Sequence, residues 1–148
     1  MEFDDKTRAY LEQHHGAAMI TLRADGTPHV VRVGVVLVDG KLWSSGTQGR
    51  LRTRHLRRDP RSTLFVFGQD YGYLGIESRV SILEGPDVPE LSIRLFRTMQ
   101  AGRPGITTPG NLLWNGQEVT PEQFRQTMLA EQRIIYQFAP LRTYGLVT

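Results

Sequence analysis

The chain of 148 residues contains no cysteine, which excludes disulfides, thiolate chemistry and Cys-ligated zinc or iron–sulfur centres. It also lacks a His-x-x-x-His pair, so no metal site is expected. No stretch approaches the ~18 consecutive apolar residues of a membrane span. The acidic start, Met1-Glu2-Phe3-Asp4-Asp5-Lys6, has no apolar run behind it, so no signal peptide is expected and the chain reads as cytoplasmic. There is no GxGxxG motif and no Walker loop, and strands do not alternate strictly with helices. A dinucleotide-binding parallel sheet is thereby set aside.

Lysine is scarce in an otherwise basic chain. Of 18 cationic residues only Lys6 and Lys41 are lysine, and the rest are arginine. Six of those arginines (Arg50, Arg52, Arg54, Arg57, Arg58 and Arg61) fall within residues 50–61. Such a cluster seeks anions. No aromatics are interleaved with it and the rest of the chain is nearly charge-balanced, so nucleic acid is not the expected partner.

Length and composition predict one domain over 1–148. Asp4 and Asp5 open a helix whose apolar face runs Phe3, Thr7, Tyr10, Leu11 and His14, with Gly16 ending it. Three strands are expected next, Ala17–Arg23, His29–Val38 and Lys41–Ser45, joined at Asp25-Gly26 and Asp39-Gly40 into an antiparallel meander. Trp43 on the third is expected in a core or an interface. Gly49–Arg58 reads as a short helix stopped by Asp59-Pro60. Strands at Ser62–Phe67 and Tyr73–Glu84 follow, then a helix capped at Asp87 with the stripe Val88, Leu91, Leu95, Phe96 and Met99. Residues 101–118 read as a Gly/Pro-rich loop, and Thr120-Pro121-Glu122-Gln123 as a capping box with Val119 stapled onto Phe124. A last strand at Arg133–Phe138 is expected to end at Pro140, with Arg142–Val147 as a possible edge. Antiparallel strands with inserted helices predict an α+β fold built on a small barrel.

The most informative segment is Ser44–Arg54. A strand runs through small polar residues into a helix N-terminus, where unpaired backbone N–H groups and the helix dipole favour an anion. Ser45, Thr47 and Thr53 offer hydroxyls, and Arg50 and Arg52 can grip phosphate oxygens bidentately. The competing reading is an Arg-rich solvated helix.

Three stretches carry a family resemblance: Thr27-Pro-His-Val-Val-Arg-Val33, the run Gly49–Arg61 with His55-Leu-Arg-Arg-Asp-Pro-Arg61 as its most specific part, and Tyr144-Gly145. Over about residues 5–147 the chain resembles the pyridoxamine 5′-phosphate oxidase-like split β-barrels. More closely, it resembles the actinobacterial flavin/deazaflavin oxidoreductases, group B, that use coenzyme F420. The resemblance implies an antiparallel split barrel with peripheral helices that dimerises with itself and holds its cofactor in the interface groove. Arg50 and Arg52 would hold the phosphate, with Ser45, Leu51 and Thr53 beside it and His29, Val31 and Val33 under the ring system. Many relatives carry lysine where Arg52 stands. Because F420 bears a carboxylate-rich tail, it calls for more cations than FMN does, and Arg54, Arg57, Arg58 and Arg61 could serve it. The alternative for the last three is a surface face paired with acids.

The implied reaction is hydride transfer between F420 and a small conjugated substrate, with no catalytic side chain required because the cofactor carries the chemistry. FMN on the same fold is the alternative cofactor, and a non-enzymatic flavin or F420 carrier or sensor is the alternative function. Tyr71 and Tyr73 could line the substrate side from the partner subunit, or form a packed turn. Trp114 and its loop could form a lid, or a plain exposed connection. For His29 and His55 a structural role is weighed alongside the site.

Overall fold

The computed structural model describes residues 1–147. Its chain order is α1 (Asp5–Gln13), β1 (Gly16–Leu22), β2 (Pro28–Gly34), β3 (Val36–Val38), β4 (Lys41–Thr47), α2 (Leu51–Arg58), β5 (Arg61–Phe67), β6 (Tyr73–Leu83), α3 (Val88–Gln100), β7 (Leu112–Trp114), β8 (Gln117–Val119), α4 (Pro121–Ala130) and β9 (Arg133–Leu146). Seven strands form one curled antiparallel sheet in the order β2-β1-β5-β6-β9-β4-β3, and β7-β8 form a separate hairpin. The fold is α+β, a split barrel with helices around it.

The expected meander does not form. β1 pairs with β2 and β3 with β4, but these two hairpins occupy opposite edges of the sheet. The valine-rich run breaks at Val35, which is fully buried. Its N–H donates to His15 O at 2.8 Å, His15 Nδ1 donates to Val35 O at 3.0 Å, and Ser44 Oγ donates to Gly34 O at 2.7 Å. These bonds replace the ladder where the chain crosses from one edge to the other, so neither crossing group is orphaned. The two hairpins also turn differently. Asp39 and Gly40 both have positive φ, as the Asp-Gly signal predicts, whereas in the β1–β2 loop only Gly26 does and Asp25 instead accepts from Thr27 N–H.

β9 is a second departure. It continues through Pro140 to Leu146, paired with β6 from Ile135 onward, while β4 covers only residues 133–138. A register shift between Glu77 and Ser78 lies opposite Pro140, and a bulge is a place where a missing N–H is tolerated. The third departure is the β7–β8 hairpin, which occupies part of the expected 101–118 loop and turns on Asn115-Gly116, both at positive φ.

The helices start largely as their sequences imply. Asp4 caps α1 through Thr7 N–H at 2.8 Å, and both bonds of the Thr120–Gln123 capping box are present. Asp87 precedes α3 without a side-chain cap bond. The barrel interior is filled by Met19, Leu42, Leu64, Ile76, Ile134 and Tyr136 among others. A second cluster, including Trp43, Leu95 and Ile135, fastens α3 to the outside of β3, β4 and β9. A third, built on Leu112, Phe124 and Met128, joins α3, α4 and the small hairpin. Trp43 is therefore a core residue, with its indole N–H on Gln137 at 3.0 Å.

Candidate functional site

The site is set by how β4 ends and α2 begins. Inward-facing residues on β4 are Leu42, Ser44 and Gly46, so Ser45 and Thr47 face outward, half-buried. Arg50 is the residue preceding α2, in extended conformation with no side-chain cap bond, and no acidic residue lies in the first turn. The helix N-terminus thus presents its dipole and its first N–H groups without a carboxylate to complement them.

What lies beneath fixes that turn in place. Tyr136 of β9 is fully buried, with its ring across Gly46, where an added Cβ would collide with the ring and its hydroxyl. Its hydroxyl shares a 2.5 Å hydrogen bond with Thr53 Oγ1, which also donates to Thr47 O at 2.8 Å. Thr53, expected to offer its hydroxyl to a ligand, is fully buried, and its hydroxyl ties α2 to β4 and β9 instead. The Arg52 guanidinium lies 5.5 Å from the centre of the Tyr136 ring, and Arg52 Nε is buried without a hydrogen-bond partner. Burial holds the Arg52 pKa below the usual arginine range, and the like charges of Arg50 and Arg133 act in the same direction. A half-buried cation with a buried, unpaired Nε beside two other cations is the environment an anion would relieve.

The arginine cluster divides in two. Arg57 makes a double contact with Glu84 (3.0 and 3.1 Å) and also holds Gln48. Arg61 is paired with Asp59 at 2.8 Å, and Arg58 donates to Leu22 O. Arg57 and Arg61 thus form the acid-paired surface face expected as the alternative, while Arg58 is held by a backbone carbonyl and not by an acid. Among the described residues Arg50, Arg52 and Arg54 have no salt-bridge partner.

Two contributors lay outside the sequence reading, Tyr136 and Arg133. Both arrive through the β4–β9 ladder, in which Ser44 pairs with Tyr136 and Thr47 with Arg133. Arg133 Nη1 points at Ser45 Oγ across 3.5 Å. Its Nε and Nη2 rest on Glu131 at 2.9 and 2.7 Å, and its guanidinium lies 5.0 Å from the centre of Trp114. Trp114 in turn meets Phe96 and Phe124 edge-on at 5.4 and 5.7 Å. No local motif announces either residue; only strand pairing across some ninety positions brings them in.

The remaining expected residues scatter. Val33 is buried in the barrel core and Val31 packs against it, so the residues β2 leaves exposed are Pro28, Val30 and Arg32. His29 lies edge-on to His55, centroids 5.2 Å apart, with Nδ1 buried and unpaired. His55 is buried and bonded to Thr21 Oγ1 at 2.9 Å. Burial, then the neighbouring charge of His29 and three arginines, lowers the His55 pKa from its ordinary 6.5, which favours the neutral ring. Leu51 is exposed at the helix start. Tyr71, 95% exposed, and Tyr73, stacked on Phe65 at 5.3 Å, lie at the opposite end of β6 from the α2 N-terminus. Leu83 pairs with Ile135 and Tyr73 with Leu146, so at about 3.3 Å per residue the two ends are roughly 30 Å apart. Within one protomer these tyrosines do not join the arginines. Trp114 is packed rather than poised above an opening, and its hairpin is pinned from both sides. Gln100 exchanges two bonds with Leu113 (2.8 and 2.9 Å), and Glu118 accepts from Thr107, Thr108 and Asn111. No group of three or more His, Asp or Glu side chains is placed to hold a metal among the described residues.

A family model described as pyridoxamine 5′-phosphate oxidase matches residues 3–114. The chain belongs to that family. Flavin-type cofactor binding is a property of the family, and it includes oxidoreductases. Solved structures agree on the fold. A conserved hypothetical protein of Mycobacterium tuberculosis superposes with a TM-score of 0.72 at 18% identity, over 99% of this chain and 86% of its own. A protein described as F420 reductase gives 0.65 at 20% identity, covering 93% and 94%. A FAD-binding protein of Mesorhizobium loti gives 0.60 at 14%, covering 97% and 94%. No helix among the described residues is long and apolar enough to cross a membrane.

Proposed function

We propose that this protein is a homodimeric oxidoreductase that holds the deazaflavin F420 at the N-terminus of α2 and serves hydride transfer to a small conjugated substrate. The observation that carries the reading is Arg52: a cation with a buried, unpaired Nε, at a helix start that has no acidic complement. That donor set fits a phosphate, which would accept from Arg50, Arg52 and the first N–H groups of α2. Ser45 and Thr47 offer hydroxyls on the adjoining strand end, Leu51 an apolar edge, and Arg54 a further free cation. His29 flanks the helix from β2, with His55 behind it. When bound, the deazaflavin supplies the hydride; the chain's part is to hold and orient it and keep water from it.

Dimerisation draws support from the outer sheet face. Val30, Phe65, Phe67, Tyr144 and Leu146 are all exposed there beside the half-buried Tyr73, more apolar surface than a monomer usually leaves in one patch. A second copy packed on that face would also carry its Tyr71 and Tyr73 to a neighbour's site, the one route by which they could line the substrate side. F420 is preferred to FMN because Arg50, Arg52 and Arg54, at the start of α2, lack acid partners, more cations than a single phosphate needs, and because the F420 reductase shares the fold across nearly its whole length.

Titrating the purified protein with F420 and, separately, FMN tests the cofactor, with bound fraction read by absorbance or fluorescence. Tight F420 binding with weaker FMN binding is expected. The reverse order moves the protein to an FMN-dependent role, and binding of neither below about 100 μM, some 5.5 kcal/mol, overturns the cofactor reading. Binding without turnover of any conjugated acceptor would make it a carrier or sensor.

A further inference from the structure

Arg133 has no part in the arrangement just proposed, yet it is the third cation of the same neighbourhood. Its side chain is only 13% exposed, against 38% for the Glu131 carboxylate that holds it. Glu131 takes Nε and Nη2 along one edge of the guanidinium, and Trp114 lies against the group. Nη1 is left with a single long approach, 3.5 Å, to Ser45 Oγ. Its direction is towards the end of β4, where Thr47 O receives Arg50 N–H at 3.3 Å and α2 begins. Counting Arg50, Arg52 and Arg133 against Glu131 leaves this corner with two uncompensated positive charges. One phosphate near the α2 N-terminus would answer Arg50 and Arg52 and leave Arg133 facing its own glutamate. Beyond Arg133 and Gln48 opens a groove of about 360 Å³ lined by Val88, Pro89, Met128 and Leu129, so a longer ligand has room to pass.

We propose that Arg133, shelved on Trp114, is a second anion subsite, so that the site selects a cofactor bearing a carboxylate or second phosphate beyond its first phosphate. The proposal rests on the reading of the α2 N-terminus as the first phosphate site. Glu131 acts as an internal stand-in, occupying one edge of Arg133 and competing with the incoming group. Arg133 is therefore a specificity-determining residue rather than a catalytic one.

The test compares affinities for FMN (one phosphate), FAD (two phosphates) and F420 (a phosphate with carboxylates) across the full-length wild type, Arg133→Met, Glu131→Gln and Arg52→Ala. Methionine keeps much of the packing against Trp114, and thermal unfolding checks that each variant is folded. Arg133→Met is expected to lose tenfold or more for F420, for FAD, or for both, with FMN changed less than threefold. Loss confined to F420 identifies a carboxylate as the second group, and loss confined to FAD a phosphate. Glu131→Gln is expected to move the same ligand in the opposite direction. If Arg133→Met affects all three ligands equally or none, or if Glu131→Gln does not strengthen binding, the second subsite is wrong. If Arg52→Ala leaves every affinity unchanged, it is the first phosphate site that fails.

Discussion

At the scale of single residues, the site depends on a glycine and a tyrosine that never touch the ligand in this account. Gly46 is the floor on which the Tyr136 ring lies, and that ring supports Arg52 while its hydroxyl holds Thr53. A Cβ at 46 has nowhere to go, because the ring is enclosed and its hydroxyl engaged. Gly46→Ala is expected to cost about 1–3 kcal/mol, as overpacking commonly does, measured by urea unfolding. It should also weaken cofactor binding, because α2 loses its anchor; an unchanged stability would mean the ring can move freely. The position of Arg50 and Arg52 at a helix start was legible in the sequence, because a strand running through small polar residues into a helix has a local pattern. Tyr136 and Arg133 were not, since their roles exist only once β4 and β9 are in register. Thr53 departs from its expected role for a related reason: hydroxyl chemistry is visible in sequence, but which way a hydroxyl faces at a helix start depends on what packs beneath it.

At the scale of elements, most strands and helices follow from periodicity and caps, and the exceptions have physical causes. The break at Val35 follows Gly34 in an otherwise valine-rich run, and side-chain and backbone bonds from His15 and Ser44 redirect the chain there. The β7–β8 hairpin carried an Asn-Gly turn signal, but its strands are three residues long and lie in Gly/Pro-rich surroundings. Its order depends on Glu118, whose carboxylate accepts from Thr107, Thr108 and Asn111 and is held at about 2 against an ordinary 4.5. A carboxyl pKa lowered in the folded state contributes stability that is complete above about 4.5 and disappears as pH falls through about 2. Protection of the Thr107 and Thr108 amides from hydrogen exchange should therefore decline across that window. Glu118→Gln should show the same loss at neutral pH, with the barrel unaffected. Amides that stay protected in the variant would show that Gln100 and the aromatic cluster suffice.

At the scale of the whole molecule, closure is incomplete. β2 and β3 are sheet edges brought near each other by curling, and the opposite outer face carries exposed aromatic and aliphatic side chains. Both features suit a protein finished by a second copy. If the proposed dimer forms through that face, wild type sediments as a dimer and Phe67→Asp, placed there away from the α2 arginines, is expected to sediment as a monomer with its secondary structure intact. The monomer should bind cofactor at least tenfold more weakly if the partner closes the groove. A wild type that sediments as a monomer at micromolar concentration and still binds tightly would separate cofactor binding from assembly.

Whether the start of α2 holds the phosphate of a nucleotide-like cofactor, as proposed, is decided by the F420 dissociation constant of wild type against the Arg50→Ala/Arg52→Ala double variant. Each charge-assisted bond lost is worth about 1.5–3 kcal/mol, so a weakening of at least a hundredfold without loss of fold is expected. A double variant that is folded and binds F420 as tightly as wild type would contradict it and move the phosphate elsewhere.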